Sequence, residues 1–204
     1  MTEDYNMAKI LMIQIQSVPY AGTAYLNSAV KSKGHEFVLH VGNEIDKILL
    51  KISKENPDII GFSCMSSFHK DVLSLARKIK EKHNIPIIMG GPHATLFPDV
   101  IKNEAIDIIC RGEGEFALMD LLEAIQNKNP YHNIKNLWVK YKGNICKNEL
   151  RPLVDPLDNI PLIDWSCYNS TGILENSPPV VFLIRGCPYS CSYCFNEATR
   201  ILYK

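Results

Sequence analysis

The chain has 204 residues, 46% of them hydrophobic, and its 22 lysines plus arginines balance 22 aspartates plus glutamates to a formal net charge of zero. That length buries one complete core and part of another. Neutrality excludes the global field that recruits nucleic acid or an anionic membrane, and the sequence contains no apolar run long enough to span a bilayer, no repeat and no low-complexity segment.

Apolar runs bounded by turn signals alternate with stretches of helical period, the pattern of a parallel sheet covered by helices on both faces. A first strand is expected over 8–15 and a helix over 21–33 that Gly34 closes. The second unit pairs a strand over 36–41 with a helix over 43–55, ended by Asn56-Pro57. A third strand over 58–63 leads to the most regular helix, 68–83, where Val72, Leu73, Leu75, Ala76 and Ile79 make one apolar stripe opposite lysines. Asn84 and Pro86 break the chain before a strand over 85–89 and a helix over 94–102, and a strand over 106–110 precedes a helix over 115–127. Residues 136–149, with Leu137-Trp138-Val139 and a Lys142-Gly143-Asn144 turn, read as a β-hairpin that trims the sheet edge or links domains. The run 180–186, VVFLIRG, reads as a buried strand delivering the loop that follows it.

The fold class is therefore α/β: a doubly wound, flavodoxin-like (Rossmann-like) five-stranded parallel sheet over 1–130, a hairpin and linker over 131–175, and the opening of a further domain over 176–204. In such sheets ligands collect beyond the carboxyl ends of the strands, so the informative residues lie just after each one. Those loops read Gln16-Ser17-Val18-Pro19-Tyr20-Ala21-Gly22, Cys64-Met65-Ser66-Ser67, Gly90-Gly91-Pro92-His93-Ala94-Thr95 and Arg111-Gly112-Glu113-Gly114-Glu115. Glycine lets a backbone approach a ligand closely and small hydroxyls bond its polar rim, so this is a loop set for a large ligand. No acidic pair ends the first strand, as a phosphoacceptor domain needs, and no GxGxxG follows it.

Cys187, Cys191 and Cys194 lie in RGCPYSCSYCF with spacing CxxxCxxC. Three thiolates with an open coordination place suit an iron-sulfur cluster, while a zinc knuckle with a distant fourth ligand is the competing reading. Seven cysteines, an odd count, and no signal peptide point to a reducing cytoplasm rather than disulfides. Cys64 and Cys110 read as small core residues, Cys146 and Cys167 as spare thiols, and Trp138 and Trp165 as packing anchors.

The cysteine run, with Tyr193 directly before the third cysteine, resembles the radical S-adenosylmethionine (radical SAM) enzymes. The resemblance implies that Cys187, Cys191 and Cys194 ligate a 4Fe-4S cluster whose open iron binds S-adenosylmethionine beside Tyr193 and cleaves it to methionine and a 5'-deoxyadenosyl radical. GFSCMSSFH, GGPHAT and RGEGE, with YLNSAVKSKGHEF before them and LVDPLDNIPLIDWSCYN after, resemble the cobalamin-binding domain and linker that precede the barrel in cobalamin-dependent members. By that resemblance Ser63, Met65, Ser66, Ser67, Gly90, Gly91, Pro92, His93, Gly112, Glu113 and Gly114 contact cobalamin, with the serines lining a slot for its nucleotide tail. The residues themselves also allow blander roles: Ser67 as a helix cap, His93 as a local hydrogen-bonding group, and Glu113 and Glu115 as acidic residues favoured by a helix dipole. The DxHxxG that many cobalamin proteins place after the first strand is absent, so no histidine from that loop reaches cobalt.

The resemblance implies methyl transfer or another radical rearrangement on an unspecified substrate, with an electron donor such as flavodoxin or ferredoxin. A barrel needs about 200 residues or more. The chain is therefore expected to be the amino-terminal part of a longer catalytic unit and not to complete turnover alone. The alternative is a non-catalytic cobalamin or corrinoid-binding module whose cysteine loop is a remnant.

Overall fold

The structure is a computed structural model that describes residues 7–175 and 180–203. Four elements of the first two units open it: β1 (Lys9–Gln14), α1 (Ala21–Ser32), β2 (Glu36–Val41) and α2 (Ile45–Glu55). Asn56, in the left-handed region at φ 47, ends α2, a conformation asparagine tolerates better than most residues. Next come β3 (Ile59–Ser63), α3 (His69–Lys80), β4 (Ile87–Gly90), α4 (Gly91–Leu96), β5 (Ile108–Cys110) and α5 (Glu115–Gln126). The hairpin is β6 (Leu137–Tyr141) and β7 (Asn144–Lys147), and α6 (Phe195–Leu202) follows the cysteine loop.

The strands form one sheet in the order β2-β1-β3-β4-β5-β6-β7. The first five run parallel, with Ile10 opposite Phe37 on one side and Ile59 on the other, while β6 joins β5 antiparallel and β7 joins β6. The expected five-stranded sheet is thus corrected to seven strands, because the hairpin extends the sheet: Ile108 pairs with Val139 and Cys110 with Leu137. Strand order reverses between β1 and β3, where the chain leaves β1 first toward β2 and then crosses back.

Alternation along β1 divides the interior into two layers. Ile10 and Met12 face α1 and α5, packing with Ala24, Val30, Leu118 and Leu121. Leu11 and Ile13 face the other way, onto Ile48 and Ile52 of α2 and Val72, Leu75 and Ile79 of α3. Both faces are covered, which is why the central strands read as unbroken apolar runs rather than alternating ones. The stripe expected on the third helix is buried as read, except that Leu73 is only partly covered.

Two element expectations fail. The helix over 94–102 is split into α4 and a 3-10 turn at Pro98–Lys102, since Pro98 supplies no N–H to continue the helix. The segment 180–186 is not a strand: Val181, Leu183 and Ile184 are 62%, 87% and 74% exposed, and among the described residues no strand pairs with it. A strand is made by its neighbours, so an apolar run without one stays irregular. Within the linker expected over 131–175, the stretch around Tyr168 packs against the core. Tyr168 is fully buried, and its hydroxyl donates to Gln14 Oε1 at 2.5 Å and accepts from the Tyr20 N–H at 2.9 Å. Gln14 Nε2 donates in turn to the carbonyls of Gln16 and Val18, closing the loop after β1 on itself.

Candidate functional site

A cavity of about 430 Å³ opens at the carboxyl ends of the central strands, on the α1 and α5 side of the sheet. Its floor is Ile10 and Met12 of β1, Gly61 of β3 and Ile88 of β4; its walls include Tyr25 and Leu26 of α1 and Leu118 of α5. The rim is Ser63, Gly90, Gly91, Gly112, Glu113 and Gly114 on one side and Phe182, Ile184, Arg185 and Gly186 on the other. Volume and apolar lining with a few polar groups at the mouth suit an organic ligand inserted end-on.

Glycine makes this slot. A Cβ at Gly61 would stand 2.7 Å from Met12 Sδ and 3.1 Å from Ile10 Cδ1, so any side chain there fills the floor. Gly91 has φ +87, and a Cβ on it would meet the Cys64 backbone N at 2.9 Å and Ser63 Oγ at 3.2 Å. The backbone after β4 is thereby held against the end of β3, an approach only glycine permits.

Of the residues expected to contact a ligand, the cavity gathers Ser63, Gly90, Gly91, Gly112, Glu113 and Gly114. It does not gather Met65, Ser66, Ser67, Pro92 or His93. Met65 is exposed and Ser66 and Ser67 sit on an exposed 3-10 turn, where Ser67 makes no side-chain cap to α3. His93 is buried and turned away from the cavity: Nδ1 lies 3.1 Å from Ser66 Oγ, and its ring stacks between His69, at 4.5 Å, and Phe97, at 5.3 Å. Glu113 and Glu115 are engaged within the chain. Arg185 donates from Nη1 to Glu113 Oε1 at 3.1 Å and from Nη2 to Glu115 Oε1 at 2.6 Å, and the Val154 N–H donates to Glu113 Oε2 at 2.8 Å. Sequence reasoning missed Gly61, Tyr25 and Arg185. A glycine interrupting an otherwise apolar β-branched strand is the available signal for the first.

Burial lowers the pKa of His93, with neighbouring His69 adding to the effect, and burial likewise lowers that of His35. Above the unfolded histidine value of about 6.5 both states are neutral and the folded chain keeps its full stability. As pH falls below that value toward the depressed folded pKa, the unfolded chain takes up protons first and stability is lost. The urea midpoint at pH 5.5 is therefore expected below that at pH 7.5, with His93→Phe flattening the difference; an unchanged slope for that variant would dismiss His93 as a contributor.

Cys187, Cys191 and Cys194 are free thiols at the end of the apolar segment, each partly exposed, and the Cys194 N–H donates to the Cys191 carbonyl at 3.1 Å in the turn before α6. Among the described residues no three histidine, cysteine or acidic side chains converge on one point, so the structure does not bring the three sulfurs together. Tyr193 is 91% exposed beside them. Cys64 and Cys110 are buried as expected, and burial pushes each thiol up to about 12. Trp138 and Trp165 pack as expected, Trp138 beneath the Arg111 guanidinium at 4.9 Å and Trp165 against Tyr168.

A parallel sheet of 2-1-3-4-5 order, with a glycine-floored slot at the end where its order reverses, defines a Rossmann-like domain built to take a large organic cofactor. Comparison with known proteins gives the family. The B12 binding domain family matches residues 15–122, more than half of the chain, and the chain belongs to that family. An uncharacterized methyltransferase of Pyrococcus horikoshii is 31% identical over 188 residues, covering 86% of this chain and 40% of the relative. An anaerobic magnesium-protoporphyrin IX monomethyl ester cyclase of Rubrivivax gelatinosus is 27% identical over 194 residues, covering 86% and 34%. The cobalamin-dependent S-adenosylmethionine radical enzyme OxsB, solved with aqua-cobalamin and S-adenosylmethionine bound, shares the fold at a TM-score of 0.71 and 17% identity, over 84% of this chain and 25% of that one. The chain thus spans well under half the length of these relatives. No helix among the described residues is long and apolar enough to cross a membrane.

Proposed function

We propose that this chain is the cobalamin-binding and cluster-bearing part of a cobalamin-dependent radical SAM methyltransferase or a related radical enzyme. The observation that carries the reading is the glycine-floored slot at the switch point, with CxxxCxxC beginning directly after the segment 182–186 that rims it. The slot fits the apolar base of cobalamin's nucleotide tail: Ile10, Met12, Ile88 and Leu118 exclude water, Gly61 leaves the depth, and Ser63 stands at the mouth as a hydroxyl partner. Three free, partly exposed thiols are the donor chemistry a 4Fe-4S cluster requires, with one iron left for S-adenosylmethionine. Bound together, the cofactors supply reductive cleavage and methyl-group chemistry; the protein supplies their orientation and a dry site. The loop after β1 is closed by Gln14 and Tyr168 and presents no histidine to cobalt.

The same reading implies turnover in the cytoplasm with an electron donor such as flavodoxin or ferredoxin. A corrinoid carrier is the second reading, favoured by the family match, which covers 15–122 and stops before the three cysteines. Anaerobic reconstitution of the chain with iron, sulfide and hydroxocobalamin, followed by desalting, separates the two. Retention of cobalt with iron and sulfide near a four-iron stoichiometry is expected; cobalt without iron would leave the carrier.

A further inference from the structure

Arg185 ties the segment before the cysteine loop to α1 and to the start of α5. Its guanidinium lies 4.6 Å from the Tyr25 ring centroid, and its two terminal nitrogens reach Glu113 and Glu115 at 3.1 and 2.6 Å. The three charged side chains are 25%, 20% and 7% exposed, so the contact is largely shielded from water. Deleting one partner of such a group leaves the other charge without compensation. Glu113 is itself fixed from several directions: its N–H donates to Tyr203 OH of the turn ending α6, its carbonyl accepts from Asn136 Nδ2 of the hairpin, and its carboxylate accepts from Val154 of the linker.

The segment carrying Arg185 has little other anchorage. Leu183 and Ile184 are 87% and 74% exposed, and among the described residues the other polar contact of 180–186 is a 3.4 Å hydrogen bond from Tyr25 OH to the Phe182 carbonyl. Cys187 follows two residues later, which limits its Cα to roughly 7 Å from that of Arg185. Arg185 and Gly186 also line the cavity. Fixing this one guanidinium therefore fixes where the cysteine loop begins relative to the slot.

We propose that Arg185 is a positioning residue, whose paired hold on Glu113 and Glu115 sets the approach of the cysteine loop to the cavity mouth and so the spacing of cluster and cobalamin. This rests on the two-cofactor reading above. Lysine keeps the charge but cannot bridge both carboxylates as a planar fork does.

The test uses the whole chain and two readouts. Amide hydrogen exchange without cofactors comes first: Arg185→Ala is expected to speed exchange by roughly tenfold or more at Glu113 and Val154, whose N–H groups donate to Tyr203 OH and to the Glu113 carboxylate, the loss that a charge-assisted hydrogen bond implies, while β1 and β3 stay protected. Glu113→Gln with Glu115→Gln should match it, and adding Arg185→Ala to that pair should change little further. Arg185→Lys should fall between. The second readout is electron paramagnetic resonance after reconstitution with hydroxocobalamin, iron and sulfide and reduction. Parent chain should show a defined spin–spin interaction between cob(II)alamin and the reduced cluster, Arg185→Ala a weakened or heterogeneous one at equal cofactor content, and Arg185→Lys a partial return. Equal spin interaction in parent and alanine variant overturns the proposal, whatever the exchange shows, as does unchanged exchange at Glu113 and Val154. A parent that retains neither cofactor sinks the two-cofactor reading and the positioning role with it, while the exchange data still report whether the clamp exists.

Discussion

Gly61→Val is expected to weaken cobalamin retention by roughly ten- to a hundredfold while leaving the chain folded, the range that forcing 1–3 kcal/mol of overpacking into a fitted slot produces. The reason lies in what the new side chain meets. At Gly61 the nearest atoms are Met12 Sδ and Ile10 Cδ1, the far ends of flexible side chains, and both already border the empty slot. They can swing into that space, so the sheet survives and the ligand's room does not. Gly91→Ala should behave the opposite way. There the obstructing atoms are the backbone N and O of Cys64 at 2.9 and 3.0 Å, and φ is +87, so nothing cheap can move. Alanine at a positive φ costs more than about 1 kcal/mol before any clash is counted. Equilibrium dialysis against hydroxocobalamin and urea midpoints on both variants distinguish a filled slot from a strained backbone. Normal retention by a folded Gly61→Val chain would remove the slot from the binding account.

The contrast also shows which features a sequence can disclose. Both glycines stand in apolar surroundings, yet only the Gly90-Gly91 pair announces itself, because it falls at a strand end where turn chemistry is expected. Gly61 sits inside β3, and its importance depends on Met12 and Ile10 of the neighbouring strand, a relation that exists only once β1 and β3 pair. The parallel sheet was legible for a similar reason in reverse. Local signals mark each βα unit: the stripe on α3, the stop at Asn56 and the apolar runs of β1, β3 and β4. The hairpin was legible as a hairpin, but its continuation of the sheet rests on the β5 edge finding Leu137 and Val139. Tyr168 was beyond reach, since its partner Gln14 is 154 residues away in sequence. Segment 180–186 failed for the complementary reason: its composition is that of a strand, and composition cannot supply a neighbour. Glu113 and Glu115 were read as ligand contacts or dipole partners because their cation lies some seventy residues later in the chain.

Replacing Cys187, Cys191 and Cys194 together by alanine is expected to reduce iron and sulfide retained after anaerobic reconstitution to background, with cobalamin retention unchanged. Separation of the two cofactors follows from the cavity lining, which includes Phe182, Ile184, Arg185 and Gly186 but none of the three cysteines. The other thiols are poor substitutes. Burial pushes Cys64, Cys110 and Cys167 up to about 12, so each is protonated at neutral pH, and the thiol rather than the thiolate is a weak iron ligand. Cys146 stands in β7 opposite Val139, in a hairpin with no second cysteine. Alanine also leaves the turn before α6 intact, since the hydrogen bond that closes it runs from the backbone N–H of residue 194 to the carbonyl of residue 191. The measurement is iron and acid-labile sulfide per chain beside the visible absorption spectrum, at matched cobalamin content. Equal iron and sulfide in parent and triple variant would assign the metal to adventitious sites and remove the cluster. Zinc bound by the parent in place of iron under the same conditions would instead mark the three thiols as a structural clip, and with it the corrinoid carrier.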